Sequence, residues 1–240
     1  MCGRFALSAK TSSIEQLVPG LQIHEDLEPR YNIAPTQNIA AVTNFDPSLL
    51  THLRWGLIPS WAKDKNIGVK MINARAETLS EKPAFRNLLK RRRCLIFANG
   101  YYEWHTDERQ KHKIPYYFKM KSGEPFTFAG LWDVWKNNER GLFDDYEDGT
   151  SRIISSATII TTQPNELTST IHNRMPAIIL PSDRELWISD EDKAEYLVDS
   201  LQAYPNDEME AFEVSSLVNN ASNNVPECTQ PFKKSNSDMI

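Results

Sequence analysis

Cys2 stands directly behind the initiator methionine in the opening stretch MCGRF. Initiator methionine is removed when the next side chain is small, so the mature chain is expected to begin with an α-amine and a thiol on one residue. An α-amine has a pKa of about 8, against about 10.4 for lysine, so near pH 7 it keeps a neutral fraction able to attack a carbonyl. The product is an imine. The thiol of the same residue can then add to the imine carbon and close a five-membered thiazolidine, an intramolecular step with a large effective molarity. Such a residue would hold an aldehyde as a lasting adduct, although by position alone Cys2 is equally a small residue in a first strand.

Three further stretches carry polar groups beside turn or cavity residues: INARAE with Asn73, Arg75 and Glu77, NGYYEW with Glu103, and TIHNRMP with His172 and Arg174. Each has a plain structural reading. Glu103 could form a salt bridge between aromatics, Asn73 could cap a helix, Trp55 and Trp61 could be core, and Arg91 to Arg93 could be a solvated helix end. Taken together they suit aldehyde chemistry. Glu103 near the amine would shuttle protons as the carbinolamine loses water, His172 would act as acid or base at a sugar oxygen, and Asn73 would hydrogen-bond the reacting oxygen. Arg4, Arg75 and Arg174 would bind flanking phosphates.

These residues need a scaffold, and the chain is long enough to supply one. Its 240 residues are 40% hydrophobic and 25% charged, the composition of an ordinary globular protein. No apolar run is long enough to span a membrane, and the amino terminus lacks the features of a signal peptide, so a cytoplasmic location is expected. Cys2, Cys94 and Cys228 form neither a disulfide framework nor a metal-ligand spacing, so no metal or other cofactor is expected. The net charge is −5, but residues 52–93 carry a local balance of +8 and residues 183–213 one of −9. A basic front of this kind suits a polyanion.

Ser13 with Gln16 has the spacing of a capping box, predicting a short helix that ends by Pro19-Gly20. YNIAPTQNIAAVT reads as a loop feeding a buried strand, LRWGLIPSW as a strand broken by Gly56 and Pro59, and EKPAFRNLLKRRR as a helix with Pro83 in its first turn. CLIFANGYYEW predicts a hairpin at Asn99-Gly100, with Tyr101 and Glu103 on one face and Tyr102 and Trp104 on the other. PYYFKM, FTFAGLW, RIISSATIITT, PAIIL and FEVSSLV read as strands, and DRELWISDEDKAEYLVDSLQ as helix. The sum is an α+β domain on antiparallel or mixed sheet with flanking helices.

In this order, MCGRF, YNIAPTQ, RWGLIPSW, INARAET, GYYEW, FAGLW and IHNRMPAIIL resemble the SOS-response-associated peptidase (SRAP) family, whose members shield abasic sites in DNA. The resemblance implies a single α+β domain around a twisted, barrel-like, mainly antiparallel sheet with a cleft for single-stranded DNA. It covers residues 1–232 and leaves 233–240 as a disordered tail. It further implies that Cys2, freed of Met1, captures the ring-opened abasic sugar as a thiazolidine crosslink. Asn73, Glu103 and His172 match the active-site positions, and Arg4, Arg75 and Arg174 match DNA-contacting arginines. Trp61 and Pro35 lie in loops that wedge into or stack on the nucleic acid. Two positions depart from the family pattern: Ala62, where some members carry a second aromatic, and Asn99, where many have Asp. The segment at 136–152 is longer and more acidic than a tight connection needs. Two other readings stay open. One is a cysteine peptidase that uses Cys2 to remove its own leader, against which only Met1 precedes Cys2. The other is a non-covalent reader of single-stranded or modified DNA.

Overall fold

Described by the computed structural model are residues 2–106, 113–136, 153–189, 194–199 and 201–233. In chain order they form β1 (Phe5–Leu7), α1 (Thr11–Glu15), β2 (Arg30–Ile33), β3 (Asn38–Thr43), β4 (Asp46–Trp55), β5 (Asn73–Arg75), α2 (Arg86–Arg91), β6 (Arg93–Ala98), β7 (Gly100–Thr106) and β8 (Lys113–Met120). There follow β9 (Phe126–Lys136), β10 (Ile153–Thr162), α3 (Glu166–Ser169), β11 (Met175–Pro176), α4 (Arg184–Ile188), α5 (Ala194–Asp199) and β12 (Met209–Glu213). The long apolar runs become strands buried on both faces; β6 is buried at every residue. Five of these strands close a ring, β10-β4-β3-β6-β9 and back to β10. All its pairings are antiparallel except β10 with β4. A second sheet, β12-β8-β7-β1-β2, packs against the ring.

Aromatic rings join the two layers. Phe5 of β1 meets Trp55 edge-on at 5.2 Å and Phe128 at 5.7 Å, and Tyr101 of β7 stacks on Phe118 at 4.8 Å and reaches Phe128 at 6.2 Å. Such pairs add about 0.5–1.5 kcal/mol each beyond their burial. The α+β reading and the barrel-like sheet expected from the resemblance are both present.

Several local expectations are corrected. Asn99-Gly100 does not turn a hairpin: β6 pairs with β3 and β9, whereas β7 pairs with β1 and β8. The chain crosses there from ring to second sheet. The Asn99 side chain is used for this, its Oδ1 accepting from the Ser8 and Ala9 amides at 2.7 and 2.8 Å. Gly100 is required because a Cβ would lie 2.4 Å from Phe118 O. The Ser13–Gln16 capping box is absent, since α1 starts at Thr11 with Lys10 before it and no side-chain cap. Pro83 lies three residues before the first residue of α2 rather than in its first turn.

Arg93 is not a solvated helix end. Fully buried, it donates Nε to Trp187 O at 2.8 Å and Nη1 to Leu89 O and Lys90 O at 2.9 and 2.7 Å, and Nη2 bonds Ser189 O. One guanidinium thus satisfies carbonyls left open at the ends of α2 and α4. The acidic stretch forms two helices, α4 and α5, and not one. The 137–152 segment and the 234–240 tail lie outside the described residues. No helix among the described residues is long and apolar enough to cross a membrane.

Candidate active site

Four separate segments meet where β1 begins. Cys2, fully buried, lies just ahead of β1, and the Tyr102 amide donates to Arg4 O at 2.9 Å, which brings Glu103 of β7 alongside. β5 runs parallel to β10, with Asn73 opposite Ile159, so a three-residue strand is held rigidly from one side. From β5 the Asn73 Nδ2 donates to the backbone carbonyl of Cys2 at 2.8 Å, while Asn73 Oδ1 is buried without a hydrogen-bond partner among the described residues. His172 sits in the turn after α3, where its amide closes on Thr168 O at 2.8 Å.

Alternation along β7 turns Tyr101 and Glu103 to the same face. Glu103 is only 2% exposed, and His172 Nε2 lies 3.8 Å from its Oε2. The peptide N–H of Arg174 donates to His172 Nδ1 at 3.0 Å. The same nitrogen lies 3.1 Å from Arg174 O, to which it donates in the other tautomer, and Nε2 is the nitrogen facing the carboxylate.

Burial pushes the Glu103 carboxyl up to about 7, against the pull of the positive amino terminus and Lys113. Burial and the same amino-terminal charge push His172 down from its ordinary value. The Cys2 thiol is driven well above the ordinary thiol range by burial, reinforced by Glu103. The centre therefore holds a neutral thiol, a neutral imidazole and a carboxyl poised between its two forms near pH 7. That combination can move protons at a carbonyl without itself carrying much charge.

Residues 1–221 match the family model described as SOS response associated peptidase (SRAP). The chain belongs to the SRAP family. It is 45% identical over 235 residues to the abasic site processing protein YoqW of Bacillus subtilis, covering 95% of this chain and 98% of that one. It is 32% identical to the abasic site processing protein HMCES of Pongo abelii, over 90% of this chain and 69% of that one. A solved protein from Bacteroides thetaiotaomicron superposes with a TM-score of 0.81 at 27% identity, covering 97% of this chain and all of that one.

Within this SRAP chain the three arginines of the sequence analysis have different surroundings. Arg75 is exposed on the same side of β5 as Asn73. Arg4 donates Nη1 to Asn32 Oδ1 and Val218 O, both at 2.7 Å, and Asn32 in turn donates to Asn220 O and Asn223 O at 2.9 and 2.8 Å. Arg4 thereby ties β1 to the closing segment VNNASNN. Arg174, 8% exposed, is engaged by Glu77 through both Nη atoms at 2.6 and 2.9 Å.

The Pro35 loop leads into β3 and the Trp61 loop leaves β4, at the end where Asn38 pairs with Arg54. Thr36 donates its amide to Trp55 O at 2.8 Å and takes φ 75°, a strained value for a β-branched residue. Trp61 is 63% exposed, yet its neighbours are fixed: the Ser60 amide donates to buried Asp133 at 2.7 Å, and Trp135 Nε1 donates to Ala62 O at 2.7 Å. Sequence reasoning missed these two anchors of β9 and the Glu77–Arg174 pair. An acid inside the apolar run FTFAGLWDVW was the available signal for Asp133, because a buried carboxylate needs donors. No cluster of three or more His, Cys, Asp and Glu placed to hold a metal occurs among the described residues.

Proposed function

We propose that this chain captures abasic sites in single-stranded DNA as a covalent DNA–protein crosslink. The observation that carries this reading is the meeting of Cys2, Asn73, Glu103 and His172, with a carboxyl titrating near 7 beside a residue that becomes an aminothiol once Met1 is removed. Relatives named for abasic site processing support the same substrate class.

The abasic sugar must first open from hemiacetal to aldehyde, a proton exchange at the ring oxygen assigned to His172 with Glu103. The Cys2 amine attacks C1′, forming the N–C bond of a carbinolamine. Protonated Glu103 gives its proton to the departing hydroxyl, water leaves, and an iminium remains. Cys2 Sγ then adds to C1′, the iminium electron pair returns to nitrogen, and the thiol proton passes to the Glu103 carboxylate, which restores it. The balance is protein plus DNA less one water. Asn73 holds the Cys2 carbonyl throughout, so both nucleophiles of that residue meet one carbon. The neutral thiol suits this order, because it does not compete before the imine forms; a cysteine peptidase needs a thiolate, which burial here opposes. Arg75, Arg4, Arg174, Trp61 and Pro35 are proposed to face the strand, with Trp61 as the stacking surface.

The test is a mass. Met-free protein is incubated with a single-stranded oligonucleotide bearing one abasic site, denatured and weighed. A species at protein plus DNA less one water, absent for Cys2→Ala, is the expected result. Free protein alone, with Met1 shown to be gone, rejects the proposal.

A further inference from the structure

The end of the ring away from β5 is open. There the β3–β4 hairpin turns at Asn44 and Phe45, β6 begins, and β9 and β10 run on past it as a pair. The opening is a cavity of about 450 Å³, far more than a single water needs and within the range of ligand sites. Leu53, Trp132 and Val134 give it apolar walls. Thr51 and Ser155 bring in hydroxyls that have no hydrogen-bond partner among the described residues.

Phe45 stands at the rim, 83% exposed, its ring 6.4 Å from that of Trp132 and inclined 64° to it. Its neighbour Asn44 is buried and holds the turn: it accepts from the Arg93 amide at 2.8 Å and Trp132 Nε1 at 3.3 Å, and donates to Arg91 O at 3.1 Å. The rim is also cationic. α2 ends beside it with Lys90 and Arg91 exposed, and the Arg92 guanidinium lies 4.6 Å over the Trp132 ring. Asp46, the acid on the wall, is turned to Ser48, from whose amide and hydroxyl it accepts at 3.2 and 2.7 Å. Arg92 Nε is 3.8 Å from Asp133, and the same carboxylate accepts from the Ser60 amide at 2.7 Å. The loop that carries Trp61 and the rim of the cavity thus meet at one side chain.

We infer that the mouth of the ring is a second nucleobase site: a base of the strand that passes Trp61 lies against Phe45 and enters the cavity, while the cations of residues 90–92 meet its phosphates. Apolar walls take the flat faces of a base, the two hydroxyls meet its polar edge, and the charge outside matches a polyanion. The inference rests on the single-stranded DNA reading above, but it concerns undamaged bases and is measured without capture.

In the test, one tetrahydrofuran residue, which lacks the base and cannot form an imine, is moved through each position of a thymidine oligonucleotide. Each oligonucleotide is titrated against wild type and Phe45→Ala. The expected result is one position, set apart from the one at the catalytic centre, where loss of the base costs wild type about tenfold in affinity and costs Phe45→Ala almost nothing. The exposure of Phe45 leaves the core of that variant intact, which a thermal melt checks. Identical scans in the two proteins overturn the inference, and so does a loss in Phe45→Ala that is the same at every position. A flat scan in wild type overturns it as well and gives the mouth a different occupant, an aromatic side chain of a protein partner. If wild type forms no adduct with an abasic oligonucleotide but keeps the Phe45-dependent position, the proposed function fails and this site stands.

Discussion

Glu103 is the residue whose environment asks most of the fold. Its pKa of about 7 in the folded chain lies above the 4.5 of a free glutamate, so between those values the folded state binds more protons than the unfolded state. Stability from this group is therefore whole below about pH 4.5 and is lost as pH rises through about 7. The groups that act on it are the amino terminus and Lys113, which favour the carboxylate, and burial, which wins. Full ionisation costs on the order of 3 kcal/mol at about 1.4 kcal/mol per pKa step. Glu103→Gln is expected to be the more stable protein at pH 8 and to differ little at pH 4.5, checked by urea unfolding at both; equal differences at the two would reject the assignment. Cys2→Ser keeps the amine but replaces the thiol with a poorer nucleophile. It should form the imine and release it by strand cleavage, so a gel that shows an intact, stably crosslinked strand would count against thiazolidine closure. Cys2, Asn73, Glu103 and His172 were legible from their chemistry, because an aminothiol, an acid, an amide and an imidazole make sense of one substrate. Glu77 was not, since nothing in INARAE says that its partner lies on the far side of β10.

Elements explain why Trp61 can be exposed without being loose. The loop that carries it begins at Gly56, whose φ is 119° and where a Cβ would lie 2.6 Å from Gly68 O, and it is fastened to β9 by Asp133 and Trp135. Stacking of one base on an aromatic side chain is worth about 1–3 kcal/mol. Trp61→Ala should thus weaken binding of undamaged single-stranded DNA by about five- to a hundredfold in a titration. Trp135→Phe, which leaves Ala62 O unpaired and removes one ring of the buried indole, should weaken it less and lower stability by about 1–3 kcal/mol. If Trp135→Phe binds as well as wild type, the anchor is not what presents Trp61. The sequence marks the first part of this loop through Gly56 and Pro59. It misleads at Asn99-Gly100, because a dipeptide reports the local bend and not which strand lies beyond it; the crossing to the second sheet depends on contacts with Ser8, Ala9 and Phe118 that are distant in the chain.

Across the whole molecule, charge and topology act at longer range. The balance of +8 over residues 52–93 should make affinity for undamaged single-stranded DNA fall steeply with salt, by counterion release, while an adduct once formed should survive salt and denaturant. Composition predicts that asymmetry but overcounts it, since Arg93 is wholly internal and spends its charge on helix ends. The ring was not legible from periodicity, which identifies strands but not the partner that closes them. β10 is that partner: it pairs with β9, β4, β5 and β11, and so holds the strand that carries Asn73 and the strand that follows His172. Cys2, Asn73 and Glu103 precede the β9–β10 connection, and His172 follows it. A chain divided there separates the nucleophile from its imidazole, and only reassembly of the two pieces reunites them. With the proposed capture chemistry, each reunion of such a split chain would be recorded as a covalent mark on DNA.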